Sequence, residues 1–408
     1  MPLSKIKLNP IIFPLLLLVF SIFASIIIHR ATWFVQDKHF SSLAESFIHG
    51  DLYLSPFNLP PGDYADFRGK QYLFFGPVPS IILMPAVALF GKNFPQINLS
   101  FASMLIIFAS VYLICKKLRF DKIDSLWLAL FFVFGTNLSF VGLIDISAYI
   151  PQVVGTMFVV LAILEYFTKK RWLLIGILVA SAGATRITLY ALSVFFILEI
   201  YQHTRKDLAK NLALLLLPIM VSLIFLGAYN YRRFRSPFDT GYTRNVSVLD
   251  KDYTNNHLGW FSPIHIPANL YTILLRGPEP VLRGGIEMVL QFPYVKANGM
   301  GMAIWYTSPL FIYLLLARKK AYTTSAIIGV VALAIPSLIY MGIGASQYGY
   351  RYGLDFMPML FLILITAFRE KLSTFPKILI ASGVIINCFY MLSIWNSYPL
   401  LNFWVYFR

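Results

Sequence analysis

Apolar residues in this chain come in long runs, each closed by a short polar or basic joint. The runs fall at 10–28, 97–115, 125–143, 150–167, 172–184, 187–201, 212–229, 302–317, 325–343, 356–368 and 378–395. A membrane span takes roughly 20 apolar residues. The pattern therefore predicts an all-α polytopic membrane protein, with about eleven transmembrane helices forming one domain over 1–408. One further stretch, 77–90, is short for a span and carries Pro77, Pro79 and Pro85. It is expected to lie in the outer interface as a helix. Two long external loops, about 30–96 and 230–301, are predicted to carry such interfacial helices. The first run lacks a small-residue cleavage site, so it reads as a retained helix rather than a signal peptide.

Charge sets the orientation. Lys5 and Lys7 precede the first run, and Lys116, Lys117, Arg119 and Lys122 close the second. Later joints carry Lys169, Lys170 and Arg171, then Arg205, Lys206 and Lys210, then Arg318, Lys319 and Lys320, then Arg369 and Lys371. These are expected inside. Counting 77–90 as a full span would put the Lys116–Lys122 cluster outside. The aromatic tail at 396–408 is expected to end on the outer interface.

Composition agrees, with 58% hydrophobic and 13% charged residues and a mean hydropathy of +0.70. The net charge of +16 resides largely in the joints, which is a topological use and gives no reason to expect nucleic acid. Cys115 and Cys388 both sit in apolar runs, so no disulfide framework is implied. No internal repeat is visible, which counts against a transporter built on inverted repeats.

The candidate chemistry gathers on the external side. The first loop holds Asp37, Glu45, Asp51, Asp63 and Asp66 among Trp33, Phe34, Tyr53, Tyr64 and Tyr72. Asp37 is the expected chemical centre, because a carboxylate just past a helix exit is costly unless used. The other acids read equally well as ordinary loop residues. Arg186 interrupts an apolar run and should pair with an anion or snorkel. Arg232, Arg233 and Arg235 stand at a helix exit, suited to phosphate oxygens or to lipid headgroups. Arg351 lies among Tyr348, Tyr350 and Tyr352, with Asp355 one helical turn on, so an anion site and a structural ion pair are both open. Asp145 and Tyr149 join two helices externally, and Asp145 fits a helix end or an active role. Nucleotide sugars are absent outside, and no Walker loop, GxGxxG turn or CxxC pair occurs. A phosphate-activated donor carried by a lipid fits that topology and charge.

At these residues the chain resembles the GT-C superfamily of integral-membrane glycosyltransferases, above all the protein O-mannosyltransferases and aminoarabinose transferases. The resemblance runs in order through Asp37, SLAESFIHGDLYLSP at 42–56, GPVPSIILMPAVALFG at 76–91, GATRIT at 183–188, FRSPFDTGY at 234–242, FSP at 261–263 and GYRYGLDFMP at 349–358. It implies inverting transfer of a sugar from a polyprenyl-phosphate donor to a lipid, glycan or protein acceptor on the outer face of the plasma (cytoplasmic) membrane. Asp37 would be the general base, with Asp145 or Asp66 as a second acid. Arg351, Arg232, Arg233, Arg186 and Tyr350 are the expected donor-phosphate ligands, with Tyr242 and Asp355 in support. The one cofactor left open is a divalent metal. Two departures stand out: Asp37 is followed by Lys38 where the family's first loop pairs Asp with Glu, and no large soluble C-terminal domain follows. The rival readings are a transporter or flippase of a lipid-linked or anionic substrate, and a polysaccharide polymerase or ligase.

Overall fold

The computed structural model describes residues 11–31, 37–54, 63–203, 207–244, 258–283, 289–344 and 346–395. Lys5, Lys7, Trp33, Phe34 and the tail at 396–408 lie outside the described residues. The described chain is mostly helical. Four of its helices are long and apolar enough to cross a membrane: Ile97–Lys117, Ile150–Thr168, Leu208–Phe234 and Thr374–Met391. Several of the remaining predicted spans form shorter apolar helices, so the structure supports an α-helical membrane protein without giving a count of eleven spans.

In chain order the first helices are α1 (Ile12–Ala31), α2 (His39–Ile48), α3 (Val78–Phe90), α4 (Ile97–Lys117) and α5 (Lys122–Phe134). Then come α6 (Leu138–Leu143), α7 (Ile150–Thr168), α8 (Trp172–Thr185), α9 (Ser193–His203) and α10 (Leu208–Phe234). Helix α7 is the centre, packed on α4 and α8, while α10 covers α8 and leaves Leu217, Met220, Val221, Leu223 and Ile224 exposed. An apolar face of that kind suits lipid rather than water. Aromatic edges lock the interior, as where Phe131 meets Phe311 and Phe132 meets Phe361, each at 5.2 Å.

Three predicted spans are broken, each at or beside a polar residue. The run 125–143 divides into α5 and α6 at Gly135, Thr136 and Asn137. The Thr136 hydroxyl donates to the Phe132 carbonyl and accepts from Leu138 N–H, while the Asn137 amide donates to the Tyr350 carbonyl at 3.1 Å. The run 187–201 opens as a 3₁₀ turn, Ile187–Leu192, because Arg186 leaves α8 in an extended conformation (φ −142°, ψ 116°). The run 302–317 is one helical turn, Ile304–Thr307, followed by a 3₁₀ segment, Pro309–Leu316. Ser308 (φ −144°) departs from helical geometry, and Pro309 cannot donate to a continuing ladder.

Among the described residues, the chain predicted to be all-α also contains three two-stranded sheets. Strands β1 (Tyr64–Phe67) and β2 (Lys70–Leu73) pair antiparallel from Tyr64↔Leu73 to Phe67↔Lys70. Their two-residue turn puts Arg68 and Gly69 both at positive φ, 55° and 73°, the geometry that matches strand twist. The hairpin packs Ala65 and Tyr72 on Phe234, fixing the first loop to the exit of α10. Strands β3 (Glu279–Arg283) and β4 (Val289–Lys296) form a second hairpin. Strand β5 (Met300–Met302) runs parallel to β6 (Gln347–Gly349), which delivers the chain to Arg351.

One close approach seats the start of α3 on the end of α8. A Cβ on Gly76 would stand 2.0 Å from the Ala184 carbonyl oxygen, so only glycine fits there. Helices α4 and α7 both begin at the polar cluster described next and end in basic residues, Lys116 and Lys117 for one and Lys169, Lys170 and Arg171 just past the other.

Candidate functional site

The link between α6 and α7, residues 144–149, is a short turn held by its own backbone, with Ile146 N–H on the Ile144 carbonyl and Tyr149 N–H on the Ile146 carbonyl, both at 2.9 Å. It presents Asp145, Ser147 and Tyr149 to three neighbours. Asp37 docks first: its backbone N–H donates to the Asp145 carbonyl at 3.2 Å, and its Oδ2 accepts from Ser147 N–H at 2.7 Å. His39, in the first turn of α2, brings Nδ1 to 2.7 Å from the Ser147 hydroxyl and 3.9 Å from the Asp37 carboxylate. Gln96, just before α4, donates from Nε2 to Asp145 Oδ1 at 3.0 Å and to the Ser147 hydroxyl at 3.3 Å. Two carboxylates more than one hundred residues apart in sequence thus meet in one hydrogen-bonded cluster.

Their environments differ. The Asp37 side chain keeps 20% of its surface open, whereas Asp145 is 6% exposed. Burial pushes the Asp145 carboxyl up to about 7, with the neighbouring Asp37 charge adding to the rise and the Gln96 hydrogen bond and Lys38 opposing it. Burial lowers the His39 imidazole against the pull of Asp37. Asp145 can therefore change charge near neutral pH, while Asp37 is the more exposed of the two.

Two residues beyond Ser147 the same turn reaches a cation. Arg351 stacks over the rings of Tyr149 at 5.4 Å and Tyr352 at 4.6 Å, and its Nη2 donates to the Tyr352 hydroxyl at 3.3 Å. Its Nε is buried without a hydrogen-bond partner among the described residues. The Arg351 backbone N–H is held by Gln347 Oε1 at 3.0 Å, and the Tyr149 hydroxyl donates to the Ser346 carbonyl. Burial opposes the Arg351 guanidinium charge, and Tyr352, Tyr149, Tyr242 and Asp63 favour it, leaving the group raised. Tyr242 itself packs on Phe74 at 4.9 Å and Trp260 at 5.9 Å, its hydroxyl 3.1 Å from that of Tyr340. Burial pushes that hydroxyl up to about 12.

The other expected site residues separate clearly. Arg186 forks onto Asp355, with Nε to Oδ1 at 2.9 Å and Nη2 to Oδ2 at 3.0 Å, and the Thr188 hydroxyl adds a bond to Oδ2 at 2.8 Å. Asp355 is therefore the partner of Arg186, and the i,i+4 pairing of Arg351 with Asp355 does not form. Arg233 is buried, with Nη1 on the Leu73 carbonyl and Nη2 on Asn230 Oδ1, both at 2.7 Å, so it fastens the hairpin to α10 rather than standing open for a phosphate. Arg232 is exposed on the last turn of α10. The Tyr350 hydroxyl points inward to Asn269 Oδ1 at 2.9 Å and the Ser337 carbonyl at 3.2 Å, which commits its proton to the fold. Asp66 is exposed on β1, opposite Gln71. The sequence reading missed His39, Gln96 and Ser147. Gln96 at the mouth of an apolar run, and Ser147 between Asp145 and Tyr149, were the available signals.

No group of three or more His, Cys, Asp or Glu side chains assembles among the described residues. Searches against family models, curated proteins and solved structures return no match.

Proposed function

We propose that this protein is a membrane glycosyltransferase of GT-C type, moving a sugar from a polyprenyl-phosphate donor to an acceptor on the outer face of the membrane with inversion. The observation that supports it best is the single turn at 144–149. It holds Asp37 and Asp145 at one end and lays Tyr149 against Arg351 at the other. A base and an anion-binding cation held against one short turn are what displacement of a phosphate by a hydroxyl calls for.

In this reading an acceptor hydroxyl gives its proton to Asp37, the more open of the two carboxylates. The oxygen attacks the anomeric carbon, and the C–O bond to phosphate breaks with its electron pair leaving on the phosphate. That group departs already ionised and needs a cation rather than a general acid. Arg351, with its unpartnered Nε, meets that need. Ionised Asp145 behind Asp37 favours proton uptake there, since like charges raise each other's basicity. About eleven spans, with the site on the side opposite the basic joints, complete the proposal.

The test is transfer by purified protein in proteoliposomes, offered a panel of polyprenyl-phosphate sugars on the site-bearing face. Labelled sugar on an acceptor, with release of polyprenyl phosphate, is the expected result. Movement of an intact lipid-linked donor between leaflets without transfer would establish the flippase alternative instead.

A further inference from the structure

Gln96 is 1% exposed, and both ends of its amide are used. Its Oε1 accepts from the backbone N–H of Phe40 at 2.9 Å, while Nε2 serves Asp145 and Ser147. The early N–H groups of a helix have no partner inside it. The residue before α2, Lys38, supplies no side-chain cap, so Gln96 satisfies one of these donors from 56 residues away. The same junction is reinforced by the Ser41 hydroxyl on the Phe94 carbonyl at 2.7 Å and the Ser80 hydroxyl on the Phe40 carbonyl at 3.0 Å.

The chemistry also fixes which way the amide faces. A backbone N–H only donates, so it must meet the oxygen. The NH₂ is then turned to the carboxylate, where it favours the charged form. One neutral side chain therefore joins the segment that carries Asp37, the turn that carries Asp145 and the start of α4.

We infer that Gln96 is a positioning residue: it holds Asp37 and Asp145 in register by clamping the start of α2 to the 144–149 turn. The role attached to that register rests on the glycosyltransferase reading. The groups facing the clamp are Asp37, Lys38 and His39 from the entry to α2, and Asp145 from the turn.

Two variants and two readouts test it. Gln96→Leu keeps the volume and removes every hydrogen bond. Gln96→Glu keeps an acceptor for Phe40 N–H and can donate to Asp145 only while protonated. The first readout is kcat and donor KM across pH. Gln96→Leu is expected to lower kcat on the order of 10–100-fold, the scale of a small misplacement of reacting groups, with donor KM unchanged. Gln96→Glu should recover activity relative to Gln96→Leu at acid pH and lose that advantage as pH rises.

The second readout is the infrared carboxyl band of Asp145, identified by its loss in Asp145→Asn. Its titration should move to higher pH in Gln96→Leu. Wild-type kcat with an unmoved Asp145 titration would overturn the inference, as would equal losses in kcat and donor affinity with no shift in either pH profile. If Gln96→Leu does not fold, the infrared titration of Gln96→Glu decides the question on the same criterion. If wild-type protein transfers no sugar, the glycosyltransferase reading fails by itself, and the Asp145 titration still decides whether Gln96 acts on that carboxylate.

Discussion

Asp145 and Asp355 are both nearly sealed from solvent, at 6% and 1% exposure, yet the fold treats them in opposite ways. Asp355 receives a guanidinium fork from Arg186 and a hydroxyl from Thr188. Among the described residues the Asp145 carboxylate receives a hydrogen bond from the neutral amide of Gln96 and sits beside a second carboxylate, with Lys38 near but forming no ion pair. A buried acid matched with a cation is part of the framework. A buried acid left with a neutral donor is poised to titrate, and perturbed carboxylates of that kind collect at working sites. The arginines divide likewise: Arg186 forks onto a carboxylate and Arg233 gives both terminal nitrogens to protein acceptors, while among the described residues the Arg351 guanidinium meets one tyrosine hydroxyl and two tyrosine rings.

The comparison breaks most visibly at the framework pair. Arg186→Ala leaves Asp355 buried without a counter-charge and should cost about 3–5 kcal/mol of stability, read as a lower Tm in detergent. Lost transfer at unchanged Tm would instead move Arg186 into the site. On the site side, Arg351→Ala should weaken donor binding by about 2–4 kcal/mol, and Arg351→Lys by less, because a lysine keeps the charge and loses the planar fork. Unchanged donor KM in both variants would return Arg351 to a structural role.

A third test separates the two acids by pH. Asp145 is raised from 3.8 to about 7, so the folded protein holds a proton there that the unfolded chain has released. Its contribution to stability is fully present below pH 3.8 and is lost as pH rises through about 7, with a slope approaching 1.4 kcal/mol per pH unit in between. Asp145→Asn should flatten that slope and remove the fall in transfer rate expected below pH 7. The smallest effect is expected at Asp66, exposed on its hairpin. Asp66→Asn should leave stability within about 0.5 kcal/mol and transfer unchanged.

Much of this was legible in the chain. Most of the apolar runs became helices, although 187–201 and 302–317 fold partly as 3₁₀ segments, and the shortness of 77–90 marked α3 as a separate 13-residue piece. Asp37 and Asp145 were both candidates, but nothing local says that they meet, because a contact across 108 residues is decided by how the entry to α2 and the α6–α7 turn pack. Arg351 and Asp355 looked like a pair at helical spacing. The segment Arg351–Asp355 folds as a 3₁₀ turn, and Arg186, 169 residues away, takes the carboxylate instead. The first hairpin escaped notice for a different reason: a four-residue strand in an aromatic loop carries too little alternation to stand out.

The central claim is that Asp37 removes the acceptor proton, and Asp37→Asn assayed by single-turnover transfer in proteoliposomes tests it most directly. The substitution is nearly isosteric. The account predicts a rate lower by about 10²–10⁴-fold, with donor binding and Tm at wild-type values. A near-normal rate in Asp37→Asn, alongside a large loss in Asp145→Asn, would contradict it and make the buried carboxylate the base.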